Sequence, residues 1–250
     1  MADLSVSGLV DRVRTRLLGT VVGVRTGERV AALTFDDGPD PGSTPALLDL
    51  LAQHGAKGTF FLIGKRAAKH PALVDRLLAE GHAIGNHSWD HPALPTLPAG
   101  AVAAQLRRAA AAIGGTRLRL MRPPYGDQSL ASHLAARRLG YEVVTWSLVG
   151  ADWAENDGAA IAGRILDGLH PGVIVLLHDT LASFGAEAYR DRGAMLAAVE
   201  SVLSNRPDWR FLTVPELLAL GRPRRRYWIQ ATDPAYLASL SLHPDLSDEG

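Results

Sequence analysis

The sequence predicts an α/β fold in which a parallel sheet with crossover helices closes into a (β/α) barrel. Three observations carry this. From Val30 onward, short β-branched or aromatic runs alternate seven times with helical patterns. Helix boundaries are written into the chain: Thr44-Pro45 and His70-Pro71 put proline in a first helical turn, and Gly81 and Gly140 stand where helices should stop. The chemically suggestive residues Asp36-Asp37, His87-His91, Arg122, Asp152 and His178 all fall at or just past the C-terminal ends of expected strands, the rim where barrels gather their sites.

Taken in order, Val6, Val10, Val13 and Leu17 recur at helical spacing among Asp11, Arg12, Arg14 and Arg16, which predicts an amphipathic helix over residues 4–18. It is expected to pack on the main domain; peripheral membrane contact is the alternative, because arginines flank the apolar stripe. The apolar stretch after it ends at Arg25, well short of the roughly 20 residues of a membrane span. Strands are expected at 30–35, 58–63, 82–86, 118–121, 142–147, 172–177 and 210–213. Helices are expected near 44–54, 71–80, 98–113, 128–139, 157–168, 191–204 and 215–220. The chain thus divides into an N-terminal helix and lead-in (1–29), a catalytic domain (30–220) and a C-terminal tail (221–250). That tail holds Arg222, Arg224 to Arg226, Tyr227, Trp228 and Tyr236. It reads as a solvated segment resting its aromatics on the barrel, or else as a docking segment for an anionic group.

The 250 residues, 47% hydrophobic and 21% charged, suffice for one large core. A formal net charge of zero argues against nucleic acid or an anionic membrane as main partner. Without cysteine, any transition-metal site must be built from His and carboxylate. The N-terminus shows no basic, apolar and small-residue sequence of an export signal, so a cytoplasmic location is expected.

The chemistry starts at Thr34-Phe-Asp-Asp-Gly-Pro39, where two carboxylates appear just as an apolar run ends in a turn. In such a turn both can converge on one site, one as metal ligand and one as base. His87 and His91, four apart, are spaced so that two imidazoles reach one ion, and a carboxylate from another strand end makes three ligands with a position left open, the pattern of a catalytic metal site. His54, His70, His82, His133, His170 and His243 have no such company and read as core or surface residues.

Together Thr34–Pro39, His87-Ser-Trp-Asp-His91, Arg122-Pro-Pro-Tyr-Gly126, Asp152-Trp153 and Leu176-Leu-His-Asp179 resemble the five ordered motifs of the polysaccharide deacetylase family with its NodB-type domain, also known as carbohydrate esterase family 4. The likeness spans about Val30 to Leu220. It implies an irregular seven-stranded (β/α) barrel of the NodB type. It also implies one divalent metal held by Asp37, His87 and His91, with zinc the default and cobalt, iron, nickel or manganese admissible. In this likeness Asp36 is the general base, Arg122 orients it, and the backbone N–H at Tyr125 donates to the oxyanion. His178 resembles the general acid, although a histidine ending so apolar a strand also fits a core role. Asp152 would tune His178, while Trp153 and Leu176 would wall the acyl methyl. One departure is Val149, where the fourth motif often carries a further aspartate; it touches substrate contacts rather than the reaction.

The activity implied is hydrolytic removal of an N-acetyl group from an amino sugar, in an oligosaccharide, a glycoconjugate precursor or a sugar-bearing metabolite. Related proteins hydrolyse formamides, cyclic imides or ureides, which makes that the second reading. A third, an inactive sugar-binding domain, predicts loss of a ligand, base or acid, and none is lost. Trp89 and Trp153 are the candidate platforms for a sugar ring.

Overall fold

The computed structural model describes residues 10, 13–15, 18–114 and 119–246. Most of the helix expected at 4–18 lies outside the described residues; Val10, Val13 to Thr15 and Leu18 are helical. All seven expected strands form: β2 (Val30–Asp36), β3 (Gly58–Leu62), β4 (Ala83–Asn86), β5 (Leu120–Met121), β6 (Glu142–Val143), β8 (Val173–His178) and β10 (Arg210–Phe211). Added to them are β1 (Gly19–Arg25), β7 (Leu148–Val149), β9 (Ser183–Phe184), β11 (Arg222–Tyr227) and β12 (Ser241–Leu242). The main sheet runs β11-β1-β8-β2-β3-β4-β5-β6, with β10 beside β2 and β7 beside β8. Its pairs are parallel except those of β1, which is antiparallel to β11 and β8. A bridge from Val21 to Val144, supported by the Thr145 N–H donating to the Val21 carbonyl at 2.8 Å, joins the far end of the curled sheet back to β1.

The seven expected helices appear within a residue or two of their expected limits: α1 (Thr44–Gln53), α3 (Pro71–Ala79), α4 (Ala99–Ala112), α5 (Leu130–Arg138), α6 (Gly158–Gly168), α7 (Gly193–Asn205) and α8 (Val214–Ala219). Gly81 and Gly140 follow helices with φ of 79° and 85°, the left-handed stop that glycine adopts without strain. Two helices were not anticipated, α2 (Gly64–Lys69) and α9 (Pro234–Ser239). Both are six residues long, as is α8, a length at which an amphipathic period barely registers, and α2 has no side-chain cap at its start.

Two strands end earlier than their composition suggests. The expected strand 142–147 stops at Val143 because Arg122 takes the acceptors a neighbouring strand would use: its Nε donates to the Val144 carbonyl at 3.3 Å and its Nη2 to the Thr145 carbonyl at 2.8 Å. The expected strand 210–213 stops at Phe211 because Thr213 caps α8, its hydroxyl and the Glu216 carboxylate forming a reciprocal capping box.

The residues set apart as a lead-in and a tail share this sheet. β1 pairs with β11 along its length, from Gly19 opposite Tyr227 to Arg25 opposite Arg222. Arg222 to Arg226 therefore form an edge strand whose residues stay exposed or half-buried, and arginines on an edge discourage a further strand from adding there. The apolar residues before Arg25, scanned above as a membrane candidate, are buried in that pairing. No helix among the described residues is long and apolar enough to cross a membrane.

Alternation along β2 and β8 positions the site. Ala31, Leu33 and Phe35 of β2, with Val173, Val175 and Leu177 of β8, join the core beneath the outer helices. Val30, Ala32 and Ile174 point the other way, into the barrel interior with Val21, Phe61 and Val144. The two-residue period then puts Asp36 and His178 on the inner face at the C-terminal rim, and the register places them opposite each other.

Candidate active site

Asp37, His87 and His91 come together at this rim, all buried, each offering one ligand atom within 4.8 Å of the others. Asp37 Oδ1 lies 3.3 Å from His87 Nε2 and 3.2 Å from His91 Nε2. The surrounding hydrogen bonds select these atoms. His87 Nδ1 is 2.8 Å from the Arg122 carbonyl, which can only accept, so that nitrogen carries the proton and Nε2 keeps its lone pair. Asp37 Oδ2 accepts the Ala182 N–H at 2.7 Å, while Oδ1 is buried with no hydrogen-bond partner. A buried carboxylate oxygen facing two imidazole nitrogens, with its fellow already satisfied, is what a divalent cation requires of a protein, and these three residues fit one. Burial opposes ionisation of Asp37, but the neighbouring imidazoles, His91 foremost, hold its carboxyl well below the usual carboxylate range. Burial pushes the His91 pKa down, favouring the neutral imidazole that ligation needs.

The loops presenting these groups are strained where they turn inward. Among the described residues the non-glycines with left-handed backbone are Asp37, Ser88, His91, Tyr125 and Ala151, at φ of 76°, 68°, 64°, 59° and 61°. Every one lies in, or next to, a motif singled out in the sequence. Such conformations cost about 1–3 kcal/mol each and persist where the surroundings over-determine them. Here the restraints are visible: the Asp37 carbonyl accepts from fully buried Arg66 at 2.9 Å, and Ser88 N–H donates to Asn86 Oδ1 at 2.9 Å while Ser88 Oγ accepts the His91 N–H at 3.1 Å.

Asp36 is beside the trio without belonging to it. Its Oδ1 accepts from Arg122 Nη1 at 2.7 Å, and its Oδ2 lies 3.9 Å from His87 Nε2. Arg122 is fully buried and also donates to Thr34 Oγ1 at 2.8 Å, so its guanidinium is spent on fixing one carboxylate and the backbone around it. Across the register, His178 Nδ1 is 3.1 Å from Asp152 Oδ1, which leaves Nε2 for the cavity. Burial alone would lower the His178 pKa; Asp152 outweighs it and raises the value, so the imidazolium persists above its ordinary range. An Asp152→Asn protein should therefore show the alkaline limb of its pH–rate profile moved to lower pH. The sign follows because a raised folded pKa keeps the acid protonated until pH passes that value. An unmoved limb would separate His178 from Asp152 as a working pair.

A cavity of about 180 Å³ opens over these groups, lined by Asp36, Asp37, His87, His91 and His178, with Tyr125, Trp153 and Leu176 in its walls. Arg122 and Asp152 stand behind it.

A family model described as polysaccharide deacetylase matches residues 23–144. A chitooligosaccharide deacetylase from Bradyrhizobium sp. is 39% identical over 158 residues, covering 62% of this chain and 72% of that protein. The chain belongs to the polysaccharide deacetylase family. The peptidoglycan-N-acetylglucosamine deacetylase PgdA of Listeria monocytogenes is also 39% identical over 158 residues, 62% of this chain, but the match spans only about a third of PgdA's length, 33%. Among solved structures, peptidoglycan deacetylase PdaC from Bacillus subtilis superposes with a TM-score of 0.69 at 29% identity, covering 79% of this chain and 93% of that one.

In this polysaccharide deacetylase domain every site residue expected from the motifs stands at or directly behind one cavity. Trp89 does not. Its ring packs under Arg108, 3.8 Å from the guanidinium carbon, and against Gly64, where a Cβ would come within 2.8 Å of it. It is not among the residues that line the cavity. The lone histidines are structural where their surroundings are clear: His82 Nδ1 accepts the Gly58 N–H at 3.0 Å, and burial pushes its pKa down to about 4.

Three contributors went unseen in the sequence. Arg192 is buried and forms a very short ion pair with Asp152, its guanidinium also reaching the Asp152 and His178 carbonyls at 3.1 Å. Arg66, also buried, donates to the backbone carbonyls of Asp37 at 2.9 Å and Leu181 at 3.2 Å. Buried arginines are rare unless paired, but which carboxylate they meet is a long-range fact with no local signature. The third is the C-terminal segment, whose Thr232, Tyr236 and Leu240 form part of the cavity wall.

Proposed function

We propose that this domain is a metal-dependent amidohydrolase that removes the N-acetyl group from an amino sugar. The observation that carries the proposal is the placing of Asp36 and His178, opposite each other on paired strands, in the wall of the one cavity that Asp37, His87 and His91 also line. Asp37, His87 and His91 would hold a divalent cation, zinc by default with cobalt, iron, nickel or manganese admissible, which when bound would supply Lewis acidity to acidify water and polarise the amide carbonyl. Asp36, free of the trio and oriented by Arg122, takes the proton of the attacking water. The carbonyl oxygen gains charge as the tetrahedral centre forms, and the Tyr125 backbone N–H, turned by its left-handed conformation, donates to it. His178, held protonated by Asp152, gives its Nε2 proton to the departing nitrogen, without which the amine cannot leave. Leu176 and Trp153 receive the methyl; the Trp153 ring meets His178 edge-on with centroids 5.4 Å apart, which keeps water from that side of the acid.

The names of the relatives support an acetylated amino sugar as substrate, and the intact base, acid and ligand set supports turnover. The test is acetate release from N-acetylglucosamine and its oligomers by protein loaded with zinc or cobalt, with and without chelator. Metal-dependent release is expected. Silence from metal-loaded protein across these sugars, with turnover of a formamide or cyclic imide, would overturn the choice of substrate.

A further inference from the structure

The segment from Trp228 to Leu246 lies outside the matched residues 23–144, yet it crosses the mouth of the active site and is tied down on both sides. On one side it is stitched to the loop that carries Tyr125. Gln128 and Gln230 exchange backbone hydrogen bonds at 2.8 and 3.0 Å, Trp228 Nε1 donates to the Gly126 carbonyl at 2.9 Å, and Asp127 Oδ1 accepts both the N–H and the hydroxyl of Thr232 at 2.8 Å. The Trp228 ring also meets Trp146 edge-on at 5.3 Å. On the other side β12 pairs antiparallel with β9, the His243 N–H donates to the Ala182 carbonyl at 2.8 Å, and Leu246 is buried with Ile63 and Ala182. Between these anchors α9 and the residues flanking it bring Thr232, Tyr236 and Leu240 to the cavity, facing Tyr125, Ser183 and Phe184.

Anchorage at both ends makes this a fixed strap and not a swinging lid. Its effect is on shape. A polymer processed at internal units needs a groove open on both sides of the reacting residue, so that its neighbours can leave in both directions. Here Thr232, Tyr236 and Leu240 of the strap line the cavity together with Tyr125 and Ser183, whose hydroxyls are 3.4 Å apart, and its volume is about 180 Å³. That is below the ~300–1,000 Å³ of sites that take drug-sized ligands, and suits a single sugar residue entering end-on. Tyr236, 47% exposed at the rim, offers the aromatic face for that sugar which Trp89 does not.

Resting on the amino-sugar reading above, we infer that the strap restricts this enzyme to a free N-acetylated amino sugar or the terminal residue of a short chain, with Tyr236 and Leu240 as the residues that exclude internal units. The experiment is mass-spectrometric mapping of acetyl loss along a hexamer of N-acetylglucosamine, for the wild-type protein and for Tyr236→Ala/Leu240→Ala. Wild type should deacetylate only a terminal unit, and the double variant should open internal positions. Internal deacetylation by wild type, or the same pattern in a folded variant, would overturn the inference. Calorimetry on Asp36→Asn protein separates the two readings. Monomer should bind at least about 10-fold more tightly than a hexamer blocked at both ends, a difference within reach of steric exclusion. Binding with that preference but no acetate release from any wild-type mixture would overturn the hydrolysis of amino sugars and leave the strap standing. Equal affinity for both ligands would overturn the strap, and no binding of either would overturn both.

Discussion

An Asp36→Asn protein should retain its divalent cation and lose about 10²–10⁴-fold in kcat, the usual contribution of a positioned general base. The expectation rests on a division of labour between adjacent carboxylates. Asp37 Oδ1 faces both histidines, whereas Asp36 Oδ1 is engaged by Arg122 and its Oδ2 stands 3.9 Å from His87. Asparagine keeps the size and still offers an oxygen to Arg122, so the ligand trio should be undisturbed while the proton acceptor is gone. Metal content by mass spectrometry and kcat on the same preparation decide the matter. Wild-type kcat would remove Asp36 as the base, and loss of metal would place it among the ligands. By contrast His91→Ala should fail to retain the metal, because it removes one of three ligand atoms that no other described residue replaces.

Arg122→Ala should destabilise the protein by about 3–5 kcal/mol, the cost of leaving a buried charge without its partner. The side chain is fully buried, pairs with Asp36, and satisfies Thr34 Oγ1 and the carbonyls of Val144 and Thr145; its guanidinium carbon also sits 4.1 Å from the centre of the Phe61 ring. Equilibrium denaturation in urea measures the loss. Adding Asp36→Ala should give less than the sum of the two single effects, since the second change removes the charge that the first leaves uncompensated. A loss within about 0.5 kcal/mol, the range of ordinary surface changes, would show that water takes over the role of the arginine. Arg122 is thus placed both to orient a catalytic group and to end a strand, and the early end of the expected strand 142–147 is the structural trace of that role.

The motif residues were legible because their signals are local. Asp36 and His178 end apolar runs whose two-residue period alone determines which face they take, and parallel strands bring such ends to one rim. His87 and His91 declare themselves by spacing, and helix limits by proline, glycine and capping residues. Residues 19–25 and 222–227 were not legible as strands. The first carries two glycines among its valines and follows directly on the expected N-terminal helix, the second is rich in arginine, and the two pair with each other along their length. Arg66 and Arg192 carry no local mark, since their meaning lies in Asp37 and Asp152, 29 and 40 residues away along the chain: Arg66 holds the Asp37 carbonyl, and Arg192 the Asp152 carbonyl and carboxylate.

The sequence by itself therefore determined the α/β class, the residues that gather at the site and the rim on which it stands, because alternation, caps and ligand spacing are properties of neighbouring residues. Tertiary structure alone decided how the sheet is closed, which buried arginine serves which carboxylate, and how much of the cavity mouth the C-terminal strap leaves open. Those are contacts between segments far apart in the chain, 102 residues for Trp228 with Gly126, and their energies depend on burial and geometry that no local pattern encodes.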